Sequence, residues 1–151
     1  MSKVRFYIRK ATKNDSGFIR RLILRVGINP LGLKWRRFLV AVNENGFKIG
    51  CAQVKVHKDG TRELASVAVV PFYRHQGVAE TMVLEIIKDQ KPPIYLTCRS
   101  SLVTFYERFG FIEISDLITM PAYFRRVKRA FNWLEKKKWV ERLAVMVWNG
   151  G

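Results

Sequence analysis

The sequence predicts an α/β (α+β) fold: a central, mixed but mostly antiparallel sheet of about seven strands, flanked by helices. Three features carry that prediction. Apolar runs of strand length are joined by tight turns containing glycine, which is the signature of an antiparallel meander. Other segments repeat apolar residues at helical rather than strand spacing. One such helix lies between two β-branched runs, the arrangement of a right-handed crossover between parallel strands.

Taken in order, VRFYIRKAT alternates as an opening strand, and Thr12 with Asp15 has the spacing of a capping box, Asp standing for the usual Glu or Gln. A first helix is expected through about Val26, with Phe18, Ile19, Leu22, Ile23 and Val26 on one face and Arg20, Arg21 and Arg25 elsewhere. GINPLGLKW then breaks it as a loop or short irregular helix. RFLVAV, FKIGCAQVKV and RELASVAVV follow as three strands joined by NENG and KDG. A helix over 78–90 shows Val78, Ala79, Met82, Val83, Ile86 and Ile87 as one stripe, ended by Pro92 and Pro93. IYLTC is a short buried strand pairing in parallel with the strand before that helix. SLVTFYERFGF gives a short helix closed at Gly110, FIEI a strand, residues 121–139 a basic helix and LAVMVW a last strand.

Bulk properties narrow the class. The 151 residues suit one domain, read here as 1–151, and 48% hydrophobic content excludes a disordered chain. No apolar run reaches bilayer length, and MSKVRFYIRK lacks the apolar centre of a leader, so a cytoplasmic protein is expected. Cys51 and Cys98 lie in strand-like runs without metal-ligand spacing and read as buried free thiols. The net charge of +16 favours phosphate-rich ligands, nucleic acid or anionic lipid without choosing among them, and weighs against strongly cationic acceptors.

The join VAVVPFYRHQGVAETMVLEII poses the functional question. Pro71 suits a strand end, and the glycine lets backbone approach a ligand that a Cβ would exclude. FYRHQG then delivers amide hydrogens to a helix start, where the dipole is positive, as a phosphate cradle does. The loop is neither a Walker motif nor GxGxxG, and many ordinary strand-to-helix joins share its outline. Arg74 is placed either to add charge or to point to solvent.

RHQGVA, Arg74 to Ala79, matches (Q/R)xxGx(G/A), the acetyl-CoA signature of the GNAT superfamily of N-acetyltransferases. ELASVAVVPFYRHQGVA resembles that family's fourth strand and pyrophosphate loop, and SLVTFYERFGF resembles its second motif. The element order is also similar, and the resemblance covers roughly residues 4 to 116. It implies a sheet splayed between strands 4 and 5, with acetyl-CoA as acyl donor and no metal. Backbone groups near Val67, Ala68 and Val69 would bond the pantetheine arm, one amide polarising the thioester carbonyl. The amides of Arg74, His75, Gln76, Gly77, Val78 and Ala79 would hold the pyrophosphate.

By the same resemblance Tyr106 is the acid that protonates the departing thiolate, or else a packed core ring. Glu63 matches the position of an acidic base, often acting through water, or is a solvated carboxylate pairing with a neighbouring strand. His57 reads as a surface residue, and His75 as lending its backbone. Two departures stand out: Arg99 where members often carry Asn, and Leu102 in place of a small Ala. The contact that Asn makes between loop and cofactor is thereby in doubt, and Arg99 would instead meet a phosphate or an acidic acceptor.

Residues 121–143 are longer and more basic than that family's usual connection. Phe124, Val127, Phe131 and Leu134 share a face that is expected to pack on the sheet, leaving the basic residues as a solvated rim. Trp133 and Trp139 fall off that stripe and would line an acceptor groove or a partner surface. The reading is an acetyl-CoA-dependent N-acetyltransferase acting on an unidentified primary amine, small molecule or protein, by direct transfer in a ternary complex. One rival is a non-catalytic acyl-CoA sensor, or a module docking on nucleic acid or membrane through residues 121–142. Another is a nucleic-acid-binding protein whose loop match is accidental.

Overall fold

The computed structural model describes residues 4–151; Met1, Ser2 and Lys3, which open the segment read for a leader, lie outside them. The elements run β1 (Phe6–Lys10), α1 (Ser16–Val26), β2 (Phe38–Asn43), β3 (Lys48–Val56), β4 (Arg62–Val69), α2 (Val78–Lys88), β5 (Ile94–Arg99), α3 (Val103–Glu107), β6 (Phe111–Ile114), α4 (Ala122–Lys136) and β7 (Leu143–Trp148). The strands form a seven-stranded sheet in the order β1-β2-β3-β4-β5-β7-β6. β1–β2, β2–β3, β5–β7 and β6–β7 pair antiparallel, whereas β4–β5 is parallel, with the single register pair Glu63↔Tyr95. The predicted fold class and element order both hold. The region after α1 carries one 3-10 turn, Trp35–Arg37, before β2. Among the described residues no helix is long and apolar enough to cross a membrane.

The chain divides into two compact units, one running up to Lys55 and including Leu64–Asp89, the other made of Val56–Glu63 and Gln90–Gly151. In the first, Ile19, Leu22 and Ile23 of α1 pack with Phe38, Val40, Val42, Cys51 and Ala68 of the strands. Asp15 fixes the start of α1. Its carboxylate accepts from the Thr12 amide at 2.7 Å, from Arg9 Nη1 at 2.7 Å and from Lys48 Nζ at 2.8 Å, while its own side chain is 1% exposed. Gly50 in β3 is required by proximity: an added Cβ would lie 3.0 Å from Met82 Cε, 3.1 Å from the Ala68 carbonyl oxygen and 3.3 Å from Val78 Cγ1. The missing side chain lets α2 sit close to the strands that precede it.

In the second unit β7 pairs along its length with β5, from Ile94↔Trp148 to Arg99↔Leu143. Phe124, Met120 and Val145 are buried together, joined by Tyr95, Ile114, Leu117 and Tyr123. α4 stops at Lys136, short of the expected 139, and of its apolar stripe only Phe124 is fully buried. Val127, Phe131 and Leu134 are half-covered. Periodicity set the face correctly, but the helix leaves the strands towards its C-terminus.

Two outcomes test this packing. The guanidinium of Arg9, then Lys48 and the Thr12 amide, hold the Asp15 carboxyl well below the usual carboxylate range, against the opposing effect of burial. A depressed folded-state pKa contributes stability that is complete above the unfolded pKa of about 3.9 and is lost as pH falls through the folded value. Asp15→Asn should therefore cost about 2–3 kcal/mol at pH 7, at the low end for a buried pair because Arg9 and Lys48 rehydrate, and should flatten the acid limb of stability below pH ~4 in a thermal melt series. Gly50→Val should destabilise by about 1–3 kcal/mol, read from urea unfolding.

Candidate functional site

The first unit holds the β4–α2 join. Within β4, Ser66 has φ 57°, a left-handed conformation that costs a non-glycine residue about 1–2 kcal/mol. It is fixed from β3: Gln53 Nε2 donates to Ser66 Oγ at 2.8 Å and the Cys51 thiol to the Ser66 carbonyl at 3.7 Å. Gln53 and Ser66 are both buried. Past this kink Val67 is half-buried and Ala68 and Val69 are both buried, and the chain then turns at Pro71–Tyr73.

The turn leads to the cradle. The Arg74 amide donates to the Pro71 carbonyl at 3.3 Å, and Arg74 is exposed. His75 and Gly77 both have positive φ, 63° and 84°, and Gly77 is the residue before α2 begins at Val78. The amides of Val78 and Ala79, at the helix start, have no carbonyl four residues back inside the helix, and the positive end of the helix dipole lies at the same point. Gln76 braces the loop, its Oε1 accepting from the Val4 amide at 3.1 Å. Thr81 Oγ1 donates to the Gly77 carbonyl at 2.8 Å, and buried Val78 anchors the helix start. A left-handed glycine followed by a helix start suits a phosphate group, and His75 is exposed.

The second unit holds the remaining predicted residues. Glu63 is buried, and its Oε1 lies 2.8 Å from His57 Nε2. The His57 ring stacks on Tyr123, centroids 4.0 Å apart, and meets Phe124 edge-on at 5.7 Å. The expectation of a surface His57 is therefore wrong: its side chain is 17% exposed and bonded. The KDG turn is the reason, since it returns the chain so that the His57 amide donates to the Thr61 carbonyl at 2.8 Å, bringing the imidazole beside β4. Burial, then the Glu63 charge, raises the Tyr123 phenol.

Tyr106 sits on α3 with its ring edge-on to Phe105 and Phe111. Burial, then the neighbouring Cys98, pushes its phenol well above the usual value, so it stays protonated throughout the physiological range. Arg99 and Leu102, the two departures, are both exposed. Where that strand ends, Glu141 accepts from Ser100 Oγ and the Ser101 amide, both at 2.9 Å. Cys51 and Cys98 are buried free thiols, as expected, and burial raises both to about 12.

Sequence reasoning missed Ser66, Gln53 and the partnership of His57 with Glu63. Nothing in a β-branched run marks a serine as left-handed. The six-residue spacing of His57 and Glu63 around a tight turn was the one usable signal for their pairing.

The sequence profile described as Acetyltransferase (GNAT) domain matches residues 34–113, just over half of the chain. No curated protein matches it. Among solved structures, N-acetylglutamate synthase from Neisseria gonorrhoeae, complexed with coenzyme A and N-acetyl-glutamate, aligns with TM-score 0.73 and 20% identity over 97% of this chain and 35% of that one. This chain thus spans about a third of that protein's length. Rv2747 from Mycobacterium tuberculosis, in complex with CoA, aligns with TM-score 0.71 and 21% identity over 94% of this chain and 98% of that one. Diaminobutyrate acetyltransferase EctA from Paenibacillus lautus, in complex with L-2,4-diaminobutyric acid and coenzyme A, aligns with TM-score 0.63 and 16% identity over 95% and 94%. These likenesses are of fold, and the profile match carries the family. With a cradle at the start of α2 and a match that runs from before β2 into β6, the chain belongs to the GNAT acetyltransferase family, whose acyl donor is acetyl-CoA.

Proposed function

We propose that the 151 residues act as one acetyltransferase domain that moves an acetyl group from acetyl-CoA directly to a primary amine in a ternary complex. The observation that carries this reading is the cradle: left-handed Gly77, then the start of α2 at Val78 with its amide hydrogens and positive dipole end, directly after β4. Val78, Ala79 and their neighbours back to His75 offer backbone donors to the pyrophosphate, with Arg74 adding charge from its side chain. Backbone groups of Val67, Ala68 and Val69 bond the pantetheine arm, and a fixed amide there stabilises negative charge developing on the thioester oxygen.

The acid–base steps fall to the second unit. The amine must lose a proton before or as its nitrogen bonds the acyl carbon, and Glu63, backed by His57, accepts it, directly or through water. When the carbon–sulfur bond breaks, Tyr106 donates to the thiolate. A phenol held this far above an ordinary thiol favours a strong hydrogen bond to sulfur over complete proton transfer. Such a bond still stabilises the leaving group as charge develops.

The acceptor is an amine that tolerates a strongly positive protein, which disfavours polyamines. EctA and N-acetylglutamate synthase are the structural relatives that suggest amino-acid amines as a first panel.

Two measurements test the reading. Calorimetric titration with acetyl-CoA should show saturable one-site binding at low and moderate salt, abolished in Gly77→Glu, which places a side chain in a left-handed position and a carboxylate at the cradle. Binding that fades with salt, or persists unchanged in the variant, would mean nonspecific phosphate collection by the basic surface. In a coenzyme A release assay over the amino-acid panel, Tyr106→Phe should lower turnover about 10²-fold and leave acetyl-CoA affinity nearly unchanged. Equal turnover in the variant would remove Tyr106 from the reaction.

A further inference from the structure

The C-terminal end of α4 has a construction that none of the residues assigned above to acetyl transfer shares. The helix closes in a Schellman arrangement: the Lys138 amide donates to the Glu135 carbonyl at 2.9 Å and the Trp139 amide to the Leu134 carbonyl at 3.2 Å. That motif needs a left-handed residue, normally glycine, yet the position is Lys138 with φ 58°. The fixed turn folds Trp139 back on Trp133, the indoles meeting edge to face at 5.6 Å. A hydrophobic contact of this kind ordinarily shields the motif. Here both rings remain open to solvent, at 55% and 67%, with Val140 exposed beside them.

The charges around the pair are one-sided. Lys136, Lys137 and Lys138 are exposed, as is Arg129 one turn before Trp133, and Lys137 Nζ stands 5.8 Å from the Trp133 ring centre. Both carboxylates of the segment are engaged elsewhere. Glu135 accepts from the Leu143 amide at 2.8 Å and lies 3.6 Å from Lys128, and Glu141 binds Ser100 and Ser101. Among the described residues no carboxylate lies within ion-pair distance of Lys136, Lys137 or Lys138.

We propose that this helix end is a docking surface for an anionic lipid bilayer. Indoles favour the interface between headgroups and acyl chains, and flexible lysine stems let their ammonium groups reach lipid phosphates while the rings enter. A single-stranded nucleic acid would instead stack bases on open ring faces along a basic groove. The edge-to-face pair fills part of that stacking area with its own partner, and the lysines cluster at one helix end rather than along a track.

The test is co-sedimentation of the full chain with phosphatidylcholine vesicles, with and without phosphatidylserine, and with a single-stranded oligonucleotide as competitor. Binding is expected only with phosphatidylserine present, should weaken with salt, and should fall at least about tenfold in Trp133→Ala/Trp139→Ala. Lys136→Gln/Lys137→Gln should weaken it as well, whereas Lys138→Gly, which keeps the turn and relieves its strain, should lose only one charge's worth. The exposed positions leave the core intact, which circular dichroism of each variant checks. Absence of binding to phosphatidylserine vesicles, binding indifferent to the tryptophans, or preferential capture by the oligonucleotide overturns the proposal.

Discussion

A left-handed serine inside β4 is the constraint on which the candidate site rests. Burial alternates from Leu64 to Ala68 through the left-handed Ser66, and Val69, buried as well, ends the alternation before Pro71. Such a kink persists only if its surroundings over-determine it. Gln53 and Cys51 of β3 supply two of those contacts, and Gln53 Nε2 also reaches the Gly32 carbonyl at 3.3 Å. The arrangement has a cost, because Gln53 Oε1 is buried without a hydrogen-bond partner among the described residues. Gly50 completes the support by admitting α2 close to Ala68. Strand, kink, turn and helix start are thus one braced unit.

How much of this was legible divides along physical lines. Periodicity is local, so it located the strands, the face of α1 and the stripe of α2. The turn chemistry of NENG, KDG and Gly110 is equally local, and the RHQGVA block needs only six consecutive residues. What stayed hidden depends on contacts distant in sequence or on backbone angles that composition does not encode. The angle at Ser66 is set by Gln53, thirteen residues away, and the burial of His57 by Tyr123 on another element. α4 shows the limit of pattern reading in a third way. Its stripe is real, but a stripe says which side faces the protein and nothing about how far the protein extends beneath it, so Val127, Phe131 and Leu134 are only half-covered.

The charge distribution ties these parts together. Many of the twelve acidic residues are bonded in turns, caps and pairs, among them Asp15, Asp59, Glu63, Glu113, Asp116, Glu135 and Glu141. With twelve carboxylates against 28 lysines and arginines, the basic residues set the outer field. That field draws polyphosphates toward the molecule and speeds encounter, but at physiological salt it decays over about 8 Å. Selectivity among anions must then come from groups in contact, which in the proposed site are the helix amides after Gly77 and the guanidinium of Arg74. The same reasoning separates the two anionic roles argued for this chain. In the proposed roles the cradle would recognise a phosphate by fixed backbone donors and tolerate salt, whereas the end of α4 would meet a surface through flexible lysines and depend on the indoles to make the contact last.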